Sequence, residues 1–357
     1  MPPSSREVIS ICIVRLSAIG DVCHVAAVVQ AIQRHYPQAA ITWIIGRLEY
    51  TLLGDLPGIE FIIFDKAQGF RAYREVKQEL RTRAPFDVLL QMQTSMRANL
   101  LGRMLAAKRK IGFPAGYGRE LHNLAVSEHV APSEAFHVLD VFKEFAHTIG
   151  VPPFIATWRI PISEQERQTA SALVNEQTDY VLLAPSVSHH ERIWMPERYA
   201  ALADYCFSKG LRVLVTGSPT QRDIDLAKQI CELAASSIIN VAGRTSLKEL
   251  LALCAQARLV IGPDSGTLHM ATTQQTPVIG LYAHSNPLRT GPYQGLSAVA
   301  NAYAGIMASR GLHKHLKKWG YRLKGAELME KIELEEVTSL VDEALSIPNQ
   351  KRSITTS

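Results

Sequence analysis

Short runs of consecutive apolar residues recur along the chain and alternate with stretches of helical periodicity. The runs lie at 9–14, 41–45, 60–64, 87–92 and 110–113 in the first half, and at 180–184, 212–216, 238–241, 259–262 and 277–282 in the second half. Continuous rather than alternating apolar runs are typical of strands buried on both faces of a parallel sheet. Because strands and helices alternate, the pattern predicts right-handed β-α-β units and an α/β fold of doubly wound parallel sheets.

The alternation breaks once, at 150–161, where Pro152, Pro153 and Pro161 prevent a helix or strand from continuing. A chain of 357 residues also suits two domains. We therefore predict Rossmann-like domains at 1–155 and 156–326 that face each other across a cleft. Residues 327–345 are predicted to form a closing amphipathic helix. Packing of this helix back on the first domain is one option.

Composition excludes several classes of protein. Charged residues make up 20% and hydrophobic residues 47%, which excludes a disordered chain. No apolar run approaches the roughly 18 residues of a membrane-spanning helix, and the first run does not resemble a secretory leader. The five cysteines are odd in number and form no CxxC pair, so we expect a cytoplasmic protein without structural zinc.

Positive charge is concentrated in one stretch. The net charge is only +5, but residues 66–119 hold twelve basic and three acidic residues, a net +9. Residues 310–324 add six basic residues and no acid. Such uneven charge predicts an anionic partner.

Part of the first basic stretch has helical periodicity. At about 100° per residue from Arg71, the cations Arg74, Lys77 and Arg81 fall within about 120° of it, beside an apolar stripe. A charged helix face is most often only solvated. Nucleic acid is not expected as the partner, because no aromatic interleaving accompanies the charge. A phosphorylated glycolipid or a membrane surface fits this face better.

The first strand runs into a turn that contains Gly20 and Asp21. Ligands of open α/β sheets bind beyond the carboxyl ends of the strands, and a glycine lets the backbone approach them. Asp21 is a candidate general base. The simpler interpretation, that Asp21 only caps the following helix, has at least equal weight from the sequence alone.

A second strand-to-helix turn, in 260–271, is the most informative segment. Backbone N–H groups at the start of its helix form a ready anion site, and the absent side chain of Gly266 leaves room for a phosphate. Strand-to-helix capping is the simpler alternative. Neither GxGxxG nor GxxxxGK[ST] occurs, which disfavours dinucleotide oxidoreductases and P-loop NTPases. The candidate ligand-binding residues are Asp264, Ser265, Gly266, Thr267, Leu268 and His269.

Two further loops follow strands of the second domain. Ser186, Ser188 and Arg192 offer hydroxyls and a guanidinium suited to phosphate oxygens. Gly217 and Asp223 are candidates for nucleoside contacts, or simply form a turn and a cap. Three such loops at strand ends of one domain predict one shared crevice.

These motifs together resemble the lipopolysaccharide heptosyltransferases of glycosyltransferase family 9. The resemblance rests on Ser17-x-x-Gly20-Asp21 near the start and on 262–269 late in the chain. It implies a GT-B fold in which the first domain binds the acceptor and the second the donor. It also implies inverting, metal-independent transfer of heptose from ADP-heptose to the Kdo/lipid A inner core, without a cofactor.

The family's functional residues carry over onto matching positions. Asp21 matches the general base, Asp264, Gly266, Thr267 and His269 match the donor segment, and Asp223 matches a nucleoside-binding acid. Arg192 stands where the family usually has lysine, so charge is kept although the point-like ammonium is lost. The acceptor phosphates would meet the basic stretch at the inner face of the inner membrane, with peripheral association. The acceptor candidates are Gly20, Arg71, Arg74, Lys77, Arg81 and Arg119.

Three alternatives stay open from the sequence. A later-heptose transferase of the same family differs only in its acceptor, and transfer of the first heptose to Kdo is the preferred hypothesis. A sugar-nucleotide epimerase of the same two-domain build would need no lipid and would leave the basic stretch without a purpose. A non-catalytic anion-binding module would not depend on Asp21.

Overall fold

The computed structural model describes residues 10–118, 121–132, 136–174, 179–293, 298–316 and 318–347. The chain divides into two compact units, Met1–Pro161 and Ile162–Ser357. The division falls at the end of the proline-rich segment 150–161.

The first unit is built on one parallel sheet, whose central strands are buried on both faces. Four helices connect strands of this sheet, and a fifth follows its last strand. The strands are β1 (Ser10–Val14), β2 (Ala40–Gly46), β3 (Ile59–Phe64), β4 (Phe86–Gln91), β5 (Ala107–Gly112) and β6 (Glu128–His129), in the order β3-β2-β1-β4-β5-β6. The helices are α1 (Ile19–His35), α2 (Arg47–Leu53), α3 (Phe70–Glu79), α4 (Met96–Met104) and α5 (Val138–Thr148).

The second unit repeats this plan with a parallel sheet of its own. Its strands are β7 (Tyr180–Leu183), β8 (Arg212–Val215), β9 (Ile238–Asn240), β10 (Leu259–Pro263), β11 (Val278–Tyr282) and β12 (Val299–Asn301), in the order β12-β11-β10-β7-β8-β9. Its helices are α6 (Glu164–Val174), α7 (Pro196–Ser208), α8 (Gln221–Leu233), α9 (Leu247–Gln256), α10 (Gly266–Thr273), α11 (Pro287–Thr290), α12 (Ala302–Ser309) and α13 (Leu334–Ser346).

Both sheets have the doubly wound order of the Rossmann fold, which confirms the predicted fold class. The strand order reverses between β1 and β4 in the first sheet and between β7 and β10 in the second. Ligands of this fold bind beyond the carboxyl ends of the strands at that reversal. The loops that follow β1, β7 and β10 carry most of the predicted catalytic and donor-binding residues, and Gly217 and Asp223 follow β8.

Several element boundaries differ from the prediction. The short strands β6 and β12 were not predicted, because two or three residues carry too little periodicity. Helix α3 ends at Glu79, so Arg81 lies in the turn beyond it and not on the predicted helical face. The closing segment forms a 3₁₀ stretch at Ala326–Lys331 and then α13. Val337 and Val341 of α13 belong to the hydrophobic core of the second unit.

Candidate functional site

The loop after β1 is anchored before it reaches Asp21. The Gln93 side-chain oxygen accepts hydrogen bonds from the backbone N–H groups of Leu16 at 2.7 Å and Ser17 at 3.3 Å. The Trp43 indole N–H donates to the carbonyl of Arg15 at 3.1 Å. Since Gln93 follows β4 and Trp43 lies in β2, the neighbours of β1 on both sides fix this turn.

Asp21 is not the cap of α1. The helix begins at Ile19, with Ala18 at the N-cap, so Asp21 is its third residue and Gly20 is buried beside it. The Asp21 carboxylate pairs with the guanidinium of Arg15 and keeps a side-chain exposure of 34%. Asp21 is therefore a partly exposed carboxylate at the switch point of the sheet, and its use as a general base stays a prediction.

Arg15 is a residue that the sequence analysis missed. Its side chain is buried, donates from Nη1 to the carbonyl of Met92 at 2.6 Å, and lies over the ring of Phe142 at 5.3 Å. Burial lowers the pKa of Arg15, while the charge and hydrogen bond of Asp21 raise it. A buried cation next to one carboxylate holds that carboxylate in place.

In the second unit, the loop after β7 presents polar groups without internal partners. Arg192 is 8% exposed and forms no ion pair with any described residue. Burial and the like charge of Arg322 lower the pKa of Arg192, and they outweigh the charges of Asp264 and Glu191, which raise it. The Ser186 hydroxyl is buried and also lacks a hydrogen-bond partner in the described part of the chain, whereas Ser188 is exposed. Buried cations and hydroxyls are normally satisfied, so this loop is suited to an anion.

The turn after β10 lies at the carboxyl end of the strand that neighbours β7 in the sheet. Ser265 is the N-cap of α10, yet its hydroxyl makes no capping hydrogen bond and has no partner among the described residues. Gly266, Thr267 and Leu268 form the first helical turn, where the N–H groups carry the positive end of the helix dipole. The predicted anion site is therefore open at this helix start.

Asp264 is mainly engaged inside the protein. One of its carboxylate oxygens accepts from the hydroxyls of Ser285 at 2.8 Å and Thr290 at 3.1 Å, and the other lies 3.5 Å from Nε2 of His269. Burial alone would raise the pKa of Asp264, but His269, Ser285 and Arg322 outweigh burial and lower it to about 2. Asp264 and His269 are therefore held by contacts within the protein, in the same segment of the chain as Ser265.

Asp223 is also held internally. Its carboxylate accepts from the backbone N–H of Ser218 at 3.1 Å, from the Ser218 hydroxyl at 2.6 Å and from Arg222 at 2.8 Å. A side chain on Gly217 would come within 2.9 Å of the Ser186 oxygen and 3.1 Å of Asp223. These residues are brought together as predicted, while the nucleoside contact of Asp223 stays a prediction.

Arg322, Ser285 and Thr290 are further residues that sequence reasoning missed. Arg322 reaches the site because its backbone pairs with Ser285 in an isolated antiparallel bridge, and Leu323 donates to the carbonyl of His284 at 2.9 Å. The only signal in the sequence was the basic cluster at 310–324, which does not say which cation contributes.

The first basic stretch is partly neutralised. Arg71, Arg83, Lys108 and Arg109 pair with Glu75, Glu60, Asp87 and Glu128, and the first and third of these carboxylates lie in the stretch itself. Lys66, Arg74, Lys77, Arg81, Arg97 and Arg103 form no ion pair within the described ranges and are exposed. Arg119 lies outside the described residues. The charge available to a partner is therefore smaller than the sequence predicts.

Two features are absent from the described residues. No helix there is both long enough and apolar enough to cross a membrane. Within the same ranges, no group of three or more His, Cys, Asp or Glu side chains is arranged to hold a metal ion.

Comparisons with known proteins show the family of this chain. The family model described as glycosyltransferase family 9 (heptosyltransferase) matches residues 73–320. The lipopolysaccharide core heptosyltransferase OpsX of Haemophilus influenzae is 40% identical over 338 residues, which are 94% of this chain and 97% of that protein.

Solved structures share the fold over almost the whole chain. The family 9 glycosyltransferase of Veillonella parvula aligns with a TM-score of 0.79 and 22% identity, covering 95% of this chain and 98% of that one. The E. coli heptosyltransferase WaaC with ADP aligns with a TM-score of 0.70 and 16% identity, at 95% and 98% coverage. These likenesses show the GT-B fold. Since the family model spans more than half of the chain and a relative is 40% identical over nearly all of it, this chain is an enzyme that belongs to glycosyltransferase family 9, the heptosyltransferases.

Proposed function

We propose that the enzyme transfers the first heptose from ADP-heptose to the Kdo residue of the lipid A inner core. The name of the 40% identical relative supports lipopolysaccharide core as the acceptor class. One observation carries the donor assignment, namely that the loop after β7 holds both a buried guanidinium without an ion pair in the described ranges, that of Arg192, and the unpartnered Ser186 hydroxyl. Those groups are suited to the diphosphate of a nucleotide sugar.

The reaction is proposed as a single displacement with inversion. Asp21 takes the proton from an acceptor hydroxyl as that oxygen bonds to the anomeric carbon of heptose. The bond from that carbon to the diphosphate breaks, and ADP leaves with the electron pair. The Arg15 ion pair aims the carboxylate while this happens.

Charge on the leaving ADP is stabilised by protein groups in this proposal, without a metal ion or cofactor. Arg192 and the free N–H groups at the start of α10 supply positive charge, and Ser186, Ser188 and Ser265 supply hydroxyl donors. Arg322 adds a second guanidinium near Arg192. Preorganised donors of this kind commonly contribute several kcal/mol of transition-state stabilisation, on the order of 3 each.

The acceptor is assigned to the first unit. Gly20, which precedes Asp21, is proposed to let the acceptor approach the backbone, and Arg74, Lys77 and Arg81 are exposed cations for the phosphates of the acceptor. Arg71 is less available, since it pairs with Glu75 at 2.9 Å. A lipid-linked acceptor places the enzyme on the cytoplasmic face of the inner membrane, as a peripheral protein.

A panel of truncated lipid A cores, scored by ADP release, tests which acceptor is used. Turnover on a core that ends in Kdo supports transfer of the first heptose, whereas turnover only on heptose-bearing cores supports the later-heptose alternative. Donor incubated alone is the control for the epimerase alternative. An epimerised donor formed without acceptor would contradict the proposal.

The role of Asp21 is tested by Asp21→Asn. Loss of a general base costs on the order of 10²–10⁴-fold in turnover, while affinity for ADP stays near normal because the donor groups are untouched. Calorimetric titration with ADP and the rate of ADP release measure the two effects. Asp225→Asn, an exposed carboxylate of α8, is the matched control. Normal turnover by Asp21→Asn would show that another group takes the proton.

A further inference from the structure

The first unit carries an exposed apolar groove that the proposed chemistry does not use. The groove has a volume of about 240 Å³ and is lined by Phe64, Lys66, Gly69, Phe70, Tyr73, Met96, Arg97 and Leu100. Phe70 is 80% exposed, Met96 50% and Leu100 40%. Exposed apolar side chains that adjoin one another, rather than occurring singly, mark an interaction surface.

The groove is built into the fold. The Phe64 ring is buried and packs edge-on against Tyr73, with the ring centroids 4.9 Å apart. The Tyr73 hydroxyl donates to the carbonyl of Arg97 at 3.3 Å, which ties α3 to the first turn of α4. Phe70 lies over Tyr73 with a centroid distance of 6.3 Å. An aromatic floor therefore holds Phe70 and Met96 at the surface.

Cations surround these apolar side chains. Taking Phe70 as zero and about 100° per residue, Lys77 falls near 340° and Arg74 near 40°, so both lie on the helix face of Phe70. The buried residues Ala72 and Val76 lie on the opposite side. We call the surface made by Lys66, Phe70, Arg74, Lys77, Met96, Arg97 and Leu100 the Phe70 face.

The four cations of the Phe70 face are available to a partner. Lys66, Arg74, Lys77 and Arg97 are exposed, and no described carboxylate lies within ion-pair distance of them. A soluble phosphate needs no exposed phenylalanine. A second copy of the chain would bring the same cations against one another across a symmetric interface. An aromatic side chain among cations instead suits the headgroup region of an anionic bilayer.

We propose that the Phe70 face docks the enzyme on an anionic phospholipid bilayer. Phe70 and Met96 enter the boundary between headgroups and acyl chains, and Lys66, Arg74, Lys77 and Arg97 contact lipid phosphates. The inference deepens the proposed function by naming the surface that meets the membrane. It rests on that function for its purpose, but its geometry is independent of the donor and of Asp21.

The test is flotation of the full chain with vesicles that contain no lipopolysaccharide. One set is phosphatidylcholine alone, and the other is equal parts phosphatidylcholine and phosphatidylglycerol. We expect binding to the anionic vesicles that weakens with salt. Phe70→Ser/Met96→Ser should weaken it roughly tenfold. Phe207→Ser is the matched control, since Phe207 is an exposed phenylalanine of α7 in the second unit.

Unchanged binding by Phe70→Ser/Met96→Ser, or no binding by the wild type, would overturn the proposal. The proposal would also be overturned if sedimentation equilibrium showed a wild-type dimer that dissociates only in Phe70→Ser/Met96→Ser. The groove would then be a contact between two copies of the chain. Turnover on a deacylated, soluble acceptor separates this inference from the proposed function. The variant should retain that turnover while losing vesicle binding, and retained binding with lost turnover would contradict docking through this face.

Discussion

Among individual residues, Arg15 changes how Asp21 is understood. The sequence indicates a carboxylate at the end of β1 but does not say what holds it. The structure adds a buried guanidinium that pairs with Asp21 and is itself fixed by the carbonyl of Met92. Arg15 is therefore a positioning residue rather than a catalytic one, since it acts through Asp21.

Substitution of Arg15 should lower turnover without changing donor binding. For Arg15→Gln we expect kcat to fall roughly a hundredfold, because a misaimed base costs about that much, with the KM for ADP-heptose unchanged. Arg15→Lys should recover part of the rate, since an ammonium keeps the charge but not the fork geometry. Steady-state kinetics measure the split between kcat and KM, and thermal unfolding checks folding. A proportional loss of stability and of both kinetic constants would instead indicate a purely structural role.

A second prediction concerns Asp264 and the pH dependence of the stability that its carboxylate contributes. Its pKa in the folded protein is about 2, below the unfolded value of about 3.9. The ionised form is therefore favoured by folding, so its stabilisation is present above about pH 4 and is lost as the pH falls toward 2. A difference of nearly two units corresponds to about 2 kcal/mol.

Asp264→Asn should lower the unfolding free energy of the second unit by about 2 kcal/mol at neutral pH. The difference from the wild type should shrink as the pH approaches 2. Amide hydrogen exchange of β10 and β11, measured through this pH range, reports the stability of the surrounding sheet. Asp225→Asn should show neither effect. A pH-independent difference would mean that packing, not charge, makes Asp264 important.

The sequence predicts those strands and helices whose position is set by runs of apolar residues or by helical periodicity. All ten apolar runs form strands, and the central strands, such as β1 and β10, are covered on both faces. The features that the sequence did not predict have physical causes. β12 is too short to show a pattern, and the C-terminus of α3 at Glu79 depends on the turn that follows. The approach of Arg322 to Ser285 joins distant parts of the chain, which no local pattern records.

Substitution of Gly262 would test whether close packing of β7 and β10 positions the two proposed anion-binding loops that follow them. A methyl group there would lie 2.5 Å from the backbone oxygen of Ala184, so β10 and β7 would have to separate. Overpacking of this kind costs about 1–3 kcal/mol. We expect Gly262→Ala to destabilise the second unit and to raise the KM for ADP-heptose. In the control Gly305→Ala, the methyl group meets nothing within 4 Å. Equal effects of the two variants would refute this account of the strand pair.

For the whole molecule, the same sheet order occurs twice with different chemistry at the strand ends. The loops of the second unit leave a buried cation and hydroxyls unsatisfied, whereas the first unit offers a carboxylate and a cationic, apolar face. The chemistry of each unit, more than its fold, therefore separates the proposed donor and acceptor roles.

This division predicts two separate protection patterns in hydrogen exchange of the full-length enzyme. ADP should slow exchange in 184–192 and at the start of α10, because ligand binding stabilises the groups that it contacts, while α1 and α3 stay unchanged. Anionic vesicles should slow exchange in α3 and the first turn of α4 and leave α10 unchanged. At about a hundredfold excess over Kd, a ligand adds about 2.7 kcal/mol, which is readily measured. If ADP protected α1 instead of α10, the donor would be assigned to the wrong unit, whatever the vesicles did.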